Sequence, residues 1–455
     1  MYVETIVSTH IFQRRGIMKA RLIPLYFPGR DAEFTAQVER LRNLLADDAE
    51  ILPPAALGER LPEADAVVFP QLLGDAYALV HAFQALSLPI LIVTSEFGTV
   101  SMWDWEIATF LRSHGVETIS APNIELTRKI CKALAVKREL CQTKFLVFQD
   151  NPGEGFQASI FKRFYWWEDE CTQRITDKFG VSIVKKSFRE LGAAAKQIPD
   201  SAADDAWKER QLPTEGVSPH ALRSALKMYL ALKAELDADK SIRAVGINCL
   251  NESHFSDTTP CLAWNLLFEE QGIIWGCEAD TLSMLTTYIL QKSLETPIMM
   301  TNLYPFLMGQ AALKHERIPE FPAVSSHPED HLLLAHCGYL GVVPKRFCTD
   351  WTLRSKVLAI VDENATAIDG RLPTGAMTLA KLHPSLDRMM VVEGNLEGYA
   401  QYPGSDCRNG AVVKVSDGHQ LMRALYSHHY CLMSGHNHPD IDLISSMFNL
   451  AVERI

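Results

Sequence analysis

Short apolar runs recur along the first two thirds of the chain, alternating with stripes of apolar residues at helical spacing. Lys19–Phe27 (KARLIPLYF), Ala66–Phe69 (AVVF), Pro89–Thr94 (PILIVT), Lys144–Phe148 (KFLVF), Val181–Val184, Ala244–Asn248 (AVGIN) and Gly272–Trp275 (GIIW) are too short for helices. They are also too uniformly apolar for strands with one wet face. Runs of this kind read as strands buried on both sides, the condition of a parallel sheet covered by helices. The intervening stripes agree. Phe34, Val38, Leu41, Leu44 and Leu45 share one helical face, Asn123–Leu140 is a longer helix, and Ser218-Pro219 opens another. There the serine is the cap and the proline lies in the first turn. Residues 199–217 are polar and read as a surface connection.

After Asn302 the texture changes. Residues 306–328 are irregular, with a short helix around Gly309–His315. Short runs divided by turns follow: Leu332–Gly338, Lys356–Val361, Met377–Leu382, Met389–Glu393 and Ala411–Val415. That pattern implies a β-rich, barrel-like domain, closed by a helix at Asp440–Leu450. The expected architecture is α/β: two Rossmann-like parallel-sheet domains followed by a β-rich barrel-like carboxyl-terminal domain. The boundaries fall at 18–140, 141–298 and 299–455, after an extension of residues 1–17.

Charge narrows the function classes. The chain has 44 Lys and Arg against 55 Asp and Glu, a net −11, which argues against a nucleic-acid-binding face and suits a soluble enzyme. Its ten cysteines are scattered with no CxxC pair, as expected of reduced thiols in a cytoplasmic protein. No apolar run approaches the ~20 residues that span a bilayer. Residues 1–17 lack the apolar core of a secretory signal.

The chemistry concentrates in Gly276–Pro305 (GCEADTLSMLTTYILQKSLETPIMMTNLYP). A strand gives way to a turn with two carboxylates, Glu278 and Asp280, and then to an amphipathic helix through Leu282, Leu285, Tyr288 and Ile289. A strand at Ile298–Met300 should deliver Thr301 and Asn302 to its carboxyl end, where α/β folds bind ligands. Carboxylates so placed ligate a hard divalent cation or move protons; Asp280 is equally a candidate helix cap. Histidines crowd the end of the chain at His428, His429, His436 and His438, and an imidazole beside carboxylate and amide oxygens suits Mn²⁺ or a similar ion. His336, Cys337 and Glu393 end other strands as candidate polar contacts. No partnered base marks Cys337 as a nucleophile. Asn151-Pro152-Gly153-Glu154-Gly155 lacks the full spacing of a phosphate loop and reads as an ordinary strand-to-helix turn. Phe164-Tyr165-Trp166-Trp167 reads as core or interface.

Together these residues carry a resemblance. Gly276-Cys277-Glu278-Ala279-Asp280, Leu334-Ala335-His336-Cys337-Gly338, Met377-Thr378 leading to Glu393-Gly394, and His429-Tyr430 followed by Ser434-Gly435-His436 resemble the L-fucose isomerase superfamily, related also to L-arabinose isomerase. The likeness is greatest to its shorter, divergent fucose-isomerase-like branch, and it covers residues ~240 to 455. The resemblance implies a trimer or hexamer with active sites between domains, and aldose–ketose interconversion through an enediol. It implies a divalent metal, most likely Mn²⁺, held by Glu278 and His429, with Asn302 where the family's second metal-binding carboxylate stands. Glu278 and Asp280 would be the acid/base pair, while Asn248, His336, Cys337 and Glu393 would line the sugar pocket. An amide ligates but cannot take a proton. A sugar-binding or regulatory protein without turnover, or a metal-assisted epimerase or lyase, is therefore the alternative. The expected partners are a small-molecule sugar and further copies of the chain, with no nucleic acid and no membrane.

Overall fold

The computed structural model describes residues 18–27, 32–71, 74–155, 157–210, 212–314, 318–336, 345–355, 364–402 and 409–455. The apolar runs of the first domain become a parallel sheet of β1 (Ala20–Tyr26), β2 (Ala49–Ile51), β3 (Ala55–Ala56), β4 (Ala66–Phe69), β5 (Ile90–Ile92) and β6 (Thr118–Ile119). The order is β2-β1-β4-β5-β6, with β3 paired to the far end of β1. The helix Ile124–Leu140 follows, capped by Asn123, whose side chain accepts from the amide of Leu126.

The second parallel sheet holds β7 (Lys144–Phe148) and β8 (Ser182–Lys186). After the two-residue β9 (Thr214–Glu215) it gains β10 (Ile242–Ile247) and β11 (Ile274–Cys277). Its order is β11-β10-β7-β8, so β11 is an edge strand whose end carries the 276–280 turn. The predicted caps at Ser218 and Asp280 are present, accepting from the amides of Ala221 and Ser283. Residues 199–217 are not a plain surface connection. They contain the helix Asp200–Lys208, which buries only Ala203 and Ala206, too small an apolar stripe to show in the sequence.

The carboxyl-terminal region is a closed barrel of six antiparallel strands. They are β12 (Met299–Pro305), β13 (His331–Ala335), then, beyond β14 (Asp350–Ser355) and β15 (Thr366–Arg371), β16 (Gly375–Leu382), β17 (Arg388–Gln401), β18 (Asn409–Val415) and β19 (His429–Ser434). The order is β16-β19-β12-β13-β18-β17, and β17 returns to β16. A final strand, β20 (Ala451–Arg454), lies parallel to β17 outside the ring. Strands β14 and β15 form a small sheet with β9 and were not anticipated. The expected strand Lys356–Val361 lies outside the described residues.

Two expectations about the Gly276–Pro305 stretch are corrected. Asn302 is not at the carboxyl end of a parallel strand. It sits within β12, directly opposite His429 of β19 and Ala335 of β13. The helix Thr281–Leu294 is not amphipathic in place, because nearly every residue from Thr281 to Ser293 is buried. One face meets the helix Ile124–Leu140 and another meets the barrel, so Leu285 and Ile289 share a core with Ile130, Leu134, Ile441 and Ile444. A helix apolar on most sides is buried on most sides. Its hydroxyls are tied both within the helix and to other elements: Thr286 donates to the Leu282 carbonyl and Thr281 to the Tyr165 carbonyl.

Candidate metal centre

The site is built where β11 of the second sheet meets β12 and β19 of the barrel. Chain geometry at β11 is unusual. Glu278 and Ala279 both adopt left-handed conformations, with φ of 53° and 58°, each at a cost of about 1–3 kcal/mol for a residue with a Cβ. The turn is closed by Ala279 N–H to Gly276 C=O and Asp280 N–H to Cys277 C=O. The Trp167 indole donates to the Ala279 carbonyl at 2.7 Å. Gly276 is required here, since a Cβ on it would lie 2.6 Å from the sulfur of Met284. These contacts lift the Glu278 carboxylate out of the helix direction and toward the barrel.

Asp280 is fully buried and both its oxygens are engaged. Oδ1 accepts from the Ser283 amide at 2.8 Å. Oδ2 accepts from the Ser283 hydroxyl at 2.9 Å and from the buried Lys381 ammonium at 2.7 Å, and it bonds His429 Nδ1 at 3.0 Å. Burial alone would raise its pKa. The Lys381 charge and the His429 hydrogen bond outweigh that and hold the carboxyl well below the usual range. An ionised Asp280 can only accept, so His429 carries its proton on Nδ1 and presents the lone pair of Nε2.

That Nε2 is buried and has no hydrogen-bond partner among the described residues. Glu278 Oε1 lies 3.8 Å from it. Two ligand atoms, each about 2.1 Å from one ion, lie roughly 3–4 Å apart. Ligand atoms of Glu278, His428 and His429 all fall within 4.8 Å of one another. The donor set of one carboxylate and two imidazoles suits a borderline divalent cation. The residues present therefore fit a divalent cation, and the donor set leaves its identity open.

Around this cluster, Gln157 donates to Glu278 Oε2 at 3.3 Å, and Tyr165 stacks on the His429 ring with centroids 5.2 Å apart. The Tyr165 hydroxyl bonds His428 Nε2 at 3.1 Å. Burial, and then the Glu278 and Asp280 charges, push its pKa far up, so it remains a phenol. His428 sits on the solvent side of the cluster and is exposed. Protein atoms nonetheless crowd its ring, and loss of hydration, reinforced by His429, holds it neutral well below its ordinary pKa against the pull of Asp280. His336 Nδ1 bonds Asn302 Oδ1 at 3.0 Å, and its ring lies edge-on to His429 at 5.6 Å.

The structure thus brings Glu278, Asp280, Asn302, His336 and His429 together. It does not bring Glu393, whose carboxylate accepts from the His438 amide at the amino end of the last helix and from Arg454 of β20. Thr378 pairs Glu393 on one side and Met433 on the other, four residues along β19 from His429. His436 is also elsewhere, bonded to the Gly394 carbonyl. Asn248 is one strand over from Glu278, donating to Glu252 at 2.8 Å. Cys337 lies outside the described residues. The sequence reading named His428 among the crowded histidines without making it a ligand, and it placed Tyr165 in an aromatic run read as core or interface. It missed Gln157 and Lys381, which come from a distant loop and a distant strand. The turn at Asn151 is no phosphate cradle, because the amides of Asp150 and Asn151 already donate to the buried Glu252 carboxylate. No model of a protein family matches the chain, and no curated protein does either.

Proposed function

We propose that the chain is a divalent-metal-dependent enzyme of the aldose–ketose isomerase type, acting on a sugar or sugar derivative through an enediol. The observation that carries this reading is the buried His429 Nε2, held in donor form by Asp280 and Lys381 and facing the Glu278 carboxylate. Bound there, a cation such as Mn²⁺ supplies Lewis acidity toward two vicinal sugar oxygens. Glu278, His429 and His428 hold it; Asn302 and His336 line the neighbouring wall. Asp280 has no oxygen to spare and orients His429, so moving a proton between adjacent carbons falls to Glu278. The Tyr165 phenol donates a hydrogen bond toward the same region.

A second reading, a sugar-binding protein on this scaffold without turnover, draws support from Asn302. This amide is engaged with His336 and brings no charge to the site. Mn²⁺ titration of the wild type beside Glu278→Gln and His429→Ala, followed by exchange of the C2 proton of aldoses into deuterated water, separates the two. Uptake abolished by both substitutions, with exchange, is the result expected of the enzyme. Sugar binding without metal uptake or exchange selects the second reading, and absence of both overturns each. We also propose a homo-oligomer. Phe97, Met102, Trp103 and Trp105 lie within nine residues of the first domain and are 58–81% exposed, an apolar patch that suits burial against another copy.

A further inference from the structure

Beside the Glu278 turn, two thiols face each other with no described role. Cys277 is the last residue of β11, and Cys249 opens the segment after β10, the neighbouring strand. Their sulfurs are 3.1 Å apart, neither is in a disulfide, and both residues are buried, at 3% and 5% exposure. That spacing is too short for two thiolates sharing a tetrahedral zinc, which lie ~3.8 Å apart given Zn–S of about 2.3 Å. It is about 1 Å longer than a disulfide bond of ~2.05 Å. We propose that Cys249 and Cys277 form an oxidative modification site, closed to a disulfide by a small hydroperoxide, and that closure loosens the hold on the cation at Glu278. The second half rests on the metal reading above; the first does not.

The step balances with the hydroperoxide as oxidant. One sulfur attacks the peroxide oxygen, the O–O bond breaks, and water leaves with formation of a sulfenic acid. The second sulfur then displaces the sulfenic oxygen as a second water, so two thiols and one hydrogen peroxide give one disulfide and two waters. At 3% and 5% exposure the pair is closed to bulky disulfides, so the oxidant is a small one. The consequence follows from what is pinned. Asp280 is fixed by Ser283, Lys381 and His429, and the Ala279 carbonyl is fixed by Trp167. Drawing the Cys277 sulfur about 1 Å toward Cys249 therefore falls on Glu278, already held in a left-handed conformation.

The test uses the full chain, reduced and then treated with hydrogen peroxide, alkylated and mapped by mass spectrometry. Exposed Cys141 reports that oxidant was sufficient. The expected result is a Cys249–Cys277 linked peptide, Mn²⁺ affinity weakened by about tenfold or more, faster amide exchange across residues 276–280, and recovery with dithiothreitol. Cys249→Ser should bind Mn²⁺ as the reduced wild type does and ignore peroxide. Oxidation of Cys141 while Cys249 and Cys277 still alkylate as thiols overturns the proposal. So does a linked peptide with Mn²⁺ affinity and amide exchange both unchanged. If the reduced wild type takes up no Mn²⁺, the metal reading fails, and the linked peptide with the exchange rate decides the modification site by itself.

Discussion

His429 shows how a side chain acquires a chemical role from its neighbours. Alone, an imidazole on a buried strand is an ordinary core residue. Here Lys381 keeps Asp280 ionised, Asp280 accepts a hydrogen bond from Nδ1–H, and the Nε2 lone pair is left without a hydrogen-bond partner among the described residues. Lys381→Met should therefore cost about 3–5 kcal/mol in denaturant unfolding, because it strands a buried carboxylate. The pH dependence has a definite sign. The folded Asp280 carboxyl lies below its unfolded value of about 3.9, so the unfolded chain binds more protons in that range and stability falls as pH falls through it. Asp280→Asn keeps a capping side chain and should flatten this acid limb, measured as unfolding free energy of the metal-free protein between about pH 5 and 2. Asn302→Asp, which adds a negative oxygen beside the cluster, should tighten Mn²⁺ binding several-fold by calorimetry. Unchanged affinity would place residue 302 outside the coordinating set.

At the scale of elements, the 276–280 turn is made by packing more than by its own preferences. Two consecutive left-handed residues with side chains are unfavourable, and they persist because Gly276 lets Met284 close over the strand end while Trp167 holds the Ala279 carbonyl. Gly276→Ala drives a methyl into Met284 and should destabilise the protein by about 1–3 kcal/mol, read from the denaturation midpoint. Mn²⁺ binding should weaken with it if the turn aims Glu278. The helix Thr281–Leu294 transmits the same rigidity, being buried between the Ile124–Leu140 helix and the barrel.

For the whole molecule, the closed barrel and the second parallel sheet meet at the candidate site, and the shared core leaves these regions little freedom to separate. The first domain instead carries the exposed Phe97, Met102, Trp103 and Trp105. If that surface joins copies, Met102→Glu with Trp103→Glu should reduce the mass measured by light scattering to that of the monomer, without loss of helix or sheet signal. An unchanged mass would remove the patch from the interface. Among the described residues no helix is long and apolar enough to cross a membrane.

Local chemistry alone determined a good deal. The apolar part of Lys144–Phe148, from Phe145 onward, is buried throughout, as a strand covered on both faces must be. The caps at Ser218 and Asp280 are read directly from side chains that satisfy the first amides of a helix. Glu278, Asp280, Asn302, His336 and His429 were all legible as candidate polar residues, although Asn302 was expected at a strand end and lies within β12. Which of them meet was not. An antiparallel ladder sets Asn302 opposite His429, residues far apart in sequence, and register across a barrel is fixed by every strand in the ring at once. Glu393 was read as a candidate polar contact at a strand end, yet its strand delivers it to the last helix. The buried Lys381, which governs the charge on Asp280, has no local signature either. Only the closed barrel brings a cation to a carboxylate 101 residues away, because interior charges are stable only where a partner is brought to them.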